Sequence, residues 1–243
     1  YSASQLAQQP SVPEAEICHS DLTGLALELA QWGVKRPAEL RWLDLPPQAA
    51  WAQAQQLLQR LNLIDAELQL TTLGKKAHQL GVDPRLASML IQAHDFGKAS
   101  LMTAIAVVAL IEEPESNQFD LRQGLHRWQI NRHAKCRVIT QRCHALAKKF
   151  AIKFDANQLE EQWLGWLLSL AFPDRIAQSR MSAECGSFLL ANGHGVQVRD
   201  DQPLAQANYL VAIDLMRFSG QGSTSSSSQV LQAVEVDIEA LQI

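Results

Sequence analysis

Between Arg122 and Lys153 the chain carries Arg122, Arg127, Arg132, Lys135, Arg137, Arg142, Lys148, Lys149 and Lys153, and no acidic residue. The formal net charge of the whole chain is −4, so this stretch is a local reversal of sign. Cations held in a row can neutralise phosphates, which supply most sequence-independent affinity for nucleic acid. A helix is predicted from about Asn131 to Phe150. At roughly 100° per residue, Cys136, Ile139, Cys143, Leu146, Ala147 and Phe150 share its apolar face. Arg137 and Lys148, with His133 and His144, fall on one side of that face; Lys135, Arg142 and Lys149 fall on the other. The expected phosphate contacts are Arg132, Lys135, Arg137, Arg142, Lys148 and Lys149. The competing reading is a solvated face paired with carboxylates such as Glu160 and Glu161. Trp128, between Arg127 and Gln129, is either a base-stacking residue or a core residue.

Other chemistry is missing from the chain. A nucleotide-hydrolysing motor needs a phosphate-cradling loop and a magnesium carboxylate. Gly74-Lys75-Lys76 lacks both the upstream glycine and the hydroxyl residue of such a loop, and His94-Asp95 stands alone in a helical context. No GxSxG elbow and no HExxH helix is present. The chain is therefore expected to be inactive toward ATP by itself, with no catalytic residues and no cofactor of its own. Four cysteines, Cys18, Cys136, Cys143 and Cys185, form no CxxC pair and suit a reducing cytoplasm. His133, Cys136, Cys143 and His144 match no common zinc spacing. They read instead as small buried thiols with His133 and His144 at the helix surface.

The elements that position these residues follow from periodicity. Residues 1–13 are polar and proline-bearing, as a linker would be, and the chain opens at Tyr1 without an initiator Met, as a fragment would. Over residues 14–73, Ser20 is a possible cap for a helix with Leu22, Leu25, Ala26 and Leu29 on one face, which Gly33 stops. Trp42 and Leu43 can form a short strand. A second helix opens at Pro46-Pro47 and carries Ala50, Ala54, Leu57, Leu58 and Leu61 on one face. Leu63–Leu70, turning at Ala66-Glu67, reads as a hairpin, and a helix followed by a hairpin is the end of a winged-helix module. Thr71 or Thr72 then caps a helix that Gly81 ends.

Residues 74–170 read as a helical bundle. Leu86, Met89, Leu90 and Ala93 form one apolar face, and Ala99–Ile111 is apolar almost all round and must be enclosed. That run is too short to cross a bilayer, which takes roughly 20 residues. Residues 113–117 form a loop, and a last helix holds Trp163, Trp166, Leu167 and Leu170 as core residues. Residues 171–243 contain five short strand candidates: Arg175–Ser179, Ser187–Leu190, Val196–Arg199, Tyr209–Arg217 and Val230–Ile238. Asn192-Gly193-His194-Gly195 is a turn between two of them, and Ser219–Gln229 a flexible loop. The fold class is mainly α with a smaller β part that closes as a barrel.

RWLDLPPQAAWAQAQQLL from Arg41, LTTLGKKAHQLGVDPRLASMLI from Leu70, AFPDRIAQSR from Ala171 and LLANGHGVQV from Leu189 occur in that order. Together they resemble the region after the two motor domains of DEAH-type ATP-dependent RNA helicases, in the bacterial HrpB branch. The resemblance covers nearly the whole chain. It implies a winged helix over 14–73, a ratchet bundle over 74–170 and an OB-like domain over 171–243. It also implies an accessory role: gripping single-stranded RNA, or DNA, while RecA-like motor domains elsewhere in the same protein hold ATP and Mg. Arg175 in the PDRIA motif and His194 at the hairpin tip join the expected nucleic-acid contacts on this basis. Cys18-His19 stand where the family often has an Arg after Glu-Ile, which weakens a basic contact there. Lys75 and Lys76 read as a solvated face.

Two alternatives remain. One is a protein-docking scaffold with incidental RNA contact. The other is a DNA-binding winged-helix regulator, against which stands a Pro47–Leu61 helix whose only basic residue is Arg60.

Overall fold

The computed structural model describes residues 15–116, 118–180, 185–217 and 228–239. The expected 1–13 linker, Asn117 and residues 219–227 of the expected loop lie outside them. The chain divides into two compact units, Tyr1–Pro84 and Arg85–Ile243.

The first unit holds α1 (Thr23–Gln31), α2 (Gln48–Arg60) and α3 (Thr72–Leu80). Leu22, Ala26 and Leu29 are buried, as their spacing predicts, and Gly33 leaves the helix at φ 78. The cap differs from expectation. Asp21, not Ser20, accepts the Thr23 N–H at 2.8 Å. Trp42 and Leu43 form no strand: the Trp42 Nε1–H is spent on the Pro37 carbonyl at 2.7 Å and Leu43 faces outward. The expected hairpin shrinks to one antiparallel bridge, Ile64↔Leu70. Its turn is closed by the Asp65 carboxylate accepting the Gln69 N–H at 2.8 Å. Thr71 caps α3 by accepting the Gly74 N–H, and its own hydroxyl donates to the Asn62 carbonyl at 2.6 Å. That double use ties the helix start to the end of α2. Gly81 ends α3 in the left-handed region at φ 60.

The second unit is built around α5 (Lys98–Glu112), in which every residue from Ser100 to Leu110 is buried. The two polar side chains of that buried run are satisfied. The Ser100 hydroxyl donates to the Ala93 carbonyl at 2.8 Å, and the Thr103 hydroxyl accepts the Glu160 N–H at 3.0 Å. Before it comes α4 (Pro84–Phe96), with Leu86, Met89, Leu90 and Ala93 buried. Around α5 pack α6 (Leu121–Gln129), α7 (Cys136–Lys149) and α8 (Leu164–Ala171). The predicted helix from Asn131 starts later, at Cys136, because Asn131 sits at φ 57 and breaks the chain direction after α6. Trp163 precedes α8 in a short 3-10 turn rather than lying in the helix.

The chain then enters a closed barrel of β1 (Ile176–Ser179), β2 (Ser187–Leu190), β3 (Gly195–Gln197), β4 (Tyr209–Arg217) and β5 (Ser228–Glu235). The order around the barrel is β1-β2-β3-β5-β4, with β3 and β5 parallel and all other pairs antiparallel. Five strands match the five expected ones to within a few residues, and Ser228 and Gln229 open β5 instead of ending a loop. Phe188, Val196, Leu210, Val230 and Ala233 fill the interior.

The bundle-to-barrel junction is electrostatic. Arg85 on α4 donates to both carboxylate oxygens of Asp174, at 2.5 and 3.1 Å, and to the Ala171 carbonyl at 3.3 Å. The guanidinium groups of Arg85 and Arg175 both lie against the Phe172 ring, 5.4 and 5.2 Å from its centre. Burial alone would raise the Asp174 carboxyl, but the Arg85 hydrogen bonds and charge, with Arg175 behind them, hold it below the usual range.

Two outcomes follow for stability. Asp174→Ala strands a buried guanidinium and is expected to cost about 3–5 kcal/mol in urea unfolding. The wild-type carboxylate contributes stability above the unfolded pKa of roughly 4. That contribution is lost as pH falls through the lower folded value, so the mutant's unfolding curve should be flatter than wild type in this acid range. In the first unit, a Cβ at Gly74 would lie 2.0 Å from the Leu63 carbonyl oxygen. Gly74→Ala should therefore destabilise by about 1–3 kcal/mol, where an ordinary helix Gly→Ala would stabilise.

Candidate nucleic-acid interface

The basic helix α7 buries Ile139, Cys143, Leu146 and Ala147 against α5. This fixes its rotation, and with it the fate of each cation. Glu112, Glu113 and Glu115 emerge at the end of α5 beside one edge of α7. Arg142 donates to both oxygens of Glu112 at 2.5 and 2.7 Å, and Lys135 to Glu113 at 3.1 Å. The Glu112 hydrogen bonds raise the Arg142 pKa, so this cation is locked in its charged form. Glu115 accepts from Arg127 at 3.1 Å and from the Ala134 N–H at 3.1 Å. The pairing thus comes from the loop after α5; Glu160 instead accepts from Trp163 and Gln162.

The opposite side of α7 is different. Arg137, Gln141, His144 and Lys148 recur at helical spacing, and all are exposed. Arg137 and Lys148 make no salt bridge among the described residues. The His144 ring stands edge-on to Phe154, 5.8 Å between centres, which fixes its direction while leaving it in solvent. Arg132 and Lys149 are also exposed near the two ends of the helix.

Three sequence-predicted residues lie elsewhere. Trp128 is 6% exposed, donates to the Thr140 hydroxyl at 3.2 Å and packs on Phe154, so it is a core residue with no face for a base. Arg175 donates to the Ile213 carbonyl at 2.7 Å and lies on Phe172, which makes it part of the junction. His194 is exposed at the tip of the β2–β3 turn, where Asn192 accepts its N–H at 3.1 Å. It does not share an element with the α7 stripe.

His133 also departs from expectation. It is buried, not at the surface, because its Nδ1 accepts the Lys135 N–H at 3.1 Å and pins the ring inward. Its Nε2 lies 3.9 Å from Glu115. Burial lowers its pKa, partly opposed by Glu115 and reinforced by Arg127 and Lys135. Burial pushes the Cys143 thiol up to about 12, so it is no thiolate ligand. No group of three metal-ligating side chains occurs among the described residues. Sequence reasoning missed the neutralising role of the Glu112–Glu115 run and the place of Gln141. The first had a visible signal, three carboxylates at and just after the end of the long apolar helix.

No protein-family model matches the chain. It is 36% identical over 233 residues, 94% of its length, to the ATP-dependent RNA helicase HrpB of Escherichia coli (strain K12). Over 124 residues it is 28% identical to the probable ATP-dependent RNA helicase DHR2 of Saccharomyces cerevisiae. A crystal structure of the Escherichia coli DExH-box NTPase HrpB superposes on 99% of the chain with TM-score 0.79 at 33% identity. A second, of the DEAH/RHA helicase HrpB, superposes on 98% with TM-score 0.75 at 30% identity. The chain spans 26% of the first relative and 28% of each solved chain. In sequence and in fold the chain is similar to about a quarter of an HrpB-type RNA helicase, in its C-terminal region.

Proposed function

We propose that this chain is the non-motor accessory region of an ATP-dependent RNA helicase. It grips single-stranded RNA through phosphate contacts and couples that grip to RecA-like motor domains of the same protein. The observation that carries this reading is the outer stripe of α7, where Arg137 and Lys148 stay exposed without carboxylate partners among the described residues of an acidic chain. His144 lies between them, and Arg132 and Lys149 are exposed near the two ends of the helix. His194 is a separate contact on the barrel. Lys135 and Arg142, held by glutamates, are weaker contributors, and Trp128 and Arg175 have no part. Contacts of this kind read charge rather than bases, so sequence preference is small and DNA is a competing ligand.

The domain reading belongs to the same proposal. Residues 14–73 form a winged helix, supported by α1, α2 and the bridged turn that follows. Residues 74–170 form the ratchet bundle around α5. Residues 171–243 form an OB-like domain, supported by a closed five-stranded barrel with the order β1-β2-β3-β5-β4. ATP and Mg act in the motor domains, and the protein works in the cytoplasm. No helix of the described residues is long and apolar enough to cross a membrane.

A docking role has its own support. Trp32, Leu43 and Leu45 in the first unit are 68%, 104% and 57% exposed. Large apolar side chains so exposed mark a surface that meets another protein, and the motor domains are the fitting partner.

The reading is tested by anisotropy of a labelled single-stranded RNA across a salt series. The log–log slope should be about −0.7 per phosphate contact. Arg137→Glu with Lys148→Glu should weaken binding and flatten the slope, while Lys135→Gln with Arg142→Gln should change it less. A folded Arg137/Lys148 double mutant that binds like wild type rejects this face. Leu43→Asp should reduce association with separately produced motor domains and leave RNA affinity unchanged.

A further inference from the structure

Where α4 ends, three aromatic rings gather at the surface of the second unit. Phe96, the last residue of α4, has its ring centre 4.4 Å from that of Trp166 and 6.5 Å from that of Trp163, and the two indoles are 5.5 Å apart. All three pairs meet edge to face, so the rings hold one another in a fixed frame. Trp166 belongs to the core, but Phe96 is 53% exposed and Trp163 is partly exposed. A Cβ at the next residue, Gly97, would meet nothing within 4 Å outside its chain neighbours, so the space beside Phe96 is open among the described residues. An ordered aromatic cluster left open to water is a contact surface.

The charge beside the rings selects the class of ligand. The Glu160 carboxylate joins the cluster: its Oε2 accepts the Trp163 indole N–H at 2.9 Å and the Gln162 amide at 2.8 Å, and its Oε1 has no partner among the described residues. Both donors are neutral, so the negative charge is not cancelled. Glu161, which opens the turn that carries Trp163, is exposed and makes no salt bridge among the described residues. Asp95, beside Phe96 in sequence, is exposed and has only the His94 ring, at 3.6 Å, as an ion-pair partner among the described residues. Lys98 already has a carboxylate in its field: the Asn157 N–H and the Gln158 amide hold the Asp155 carboxyl low, and the Lys98 charge adds to them. Phosphates are disfavoured beside such a set. Ring faces and carboxylates both attract cations, and a guanidinium is the cation that lies flat on a ring while donating to a carboxylate. The chain builds this combination once in its interior, where Arg85 lies on the Phe172 ring and donates to Asp174. The surface cluster presents the rings and the carboxylate without the arginine.

We infer that Phe96 and Trp163, with Glu160 beside them, form a binding site for an arginine side chain of a partner protein. The guanidinium stacks on the exposed rings and donates to the Glu160 Oε1. The inference goes beyond the proposed RNA grip, uses none of its residues and stands without it.

The test titrates the 243-residue chain into a fluorescein-labelled octapeptide of alternating Arg and Gly at low salt, with alternating Lys and Gly and alternating Glu and Gly as controls. Wild type should bind the arginine peptide more tightly than the lysine one and leave the glutamate one unbound. Phe96→Leu keeps apolar surface but removes the ring, and should weaken arginine-peptide binding about threefold. Phe96→Trp should restore or strengthen it, because indole is the better partner for a cation. Glu160→Gln keeps an acceptor for the Trp163 indole while removing the charge, and should also weaken binding about threefold. Thermal midpoints should stay near wild type, since both positions are exposed. Equal arginine-peptide binding by wild type, Phe96→Leu and Glu160→Gln overturns the proposal. So does a wild type that binds the lysine peptide as tightly as the arginine one, the signature of diffuse charge attraction. A labelled single-stranded RNA whose binding is weakened by Phe96→Leu, while arginine-peptide binding is unchanged, also overturns it and assigns the rings to base stacking.

Discussion

A helix without a polar face has to be surrounded, and α5 is such a helix. From Ser100 to Leu110 no side chain reaches solvent. Only packing on every side removes that much apolar surface from water. α6, α7 and α8 meet the demand together, and the 3-10 turns before α8 close the remaining side. Because α7 must give α5 its Ile139, Cys143, Leu146 and Ala147, its rotation is settled by burial alone. The exposed cationic stripe is what that rotation leaves outside.

The same geometry sorts the positive charge into two classes. α5 ends in Glu112-Glu113, with Glu115 two residues on, and these carboxylates emerge where Lys135, Arg142 and Arg127 lie. Half-exposed pairs of this kind add little to stability. Their larger effect is to use up cations. Arg137 and Lys148 lie beyond their reach and keep their field. Of a stretch of nine basic residues, only a narrow cationic row is thus left unneutralised by these glutamates, and the acidic loop decides which row.

The barrel is attached by chemistry of another kind. Arg85 and Asp174 face each other away from water, with 7% and 17% side-chain exposure, and both oxygens of the carboxylate are engaged. The pair sits on Phe172, at the point where α8 gives way to β1. A buried ion pair is a weak source of net stability, but it permits few alternative geometries. At a junction between a bundle and a barrel that selectivity is the useful property.

The sequence alone determined most of the long elements. Period-two runs marked the five strands, and the all-apolar run marked α5. Thr71 and Gly81 marked the ends of α3, because caps and left-handed positions are decided by neighbours along the chain. The family was legible for the same reason, since its motifs are short and local. What sequence could not decide was every question of which side faces what. Trp128 and His133 looked equally available within the basic stretch, yet both are buried: Trp128 on the face of α6 that carries Leu121 and Leu125, and His133 by the turn after α6, where its ring accepts the Lys135 N–H. Lys135 and Arg142 looked as free as Arg137 and Lys148, yet glutamates distant by 22 and 30 positions neutralise them. Coulomb interaction depends on distance in space, and only the packing of α7 on α5 set those distances.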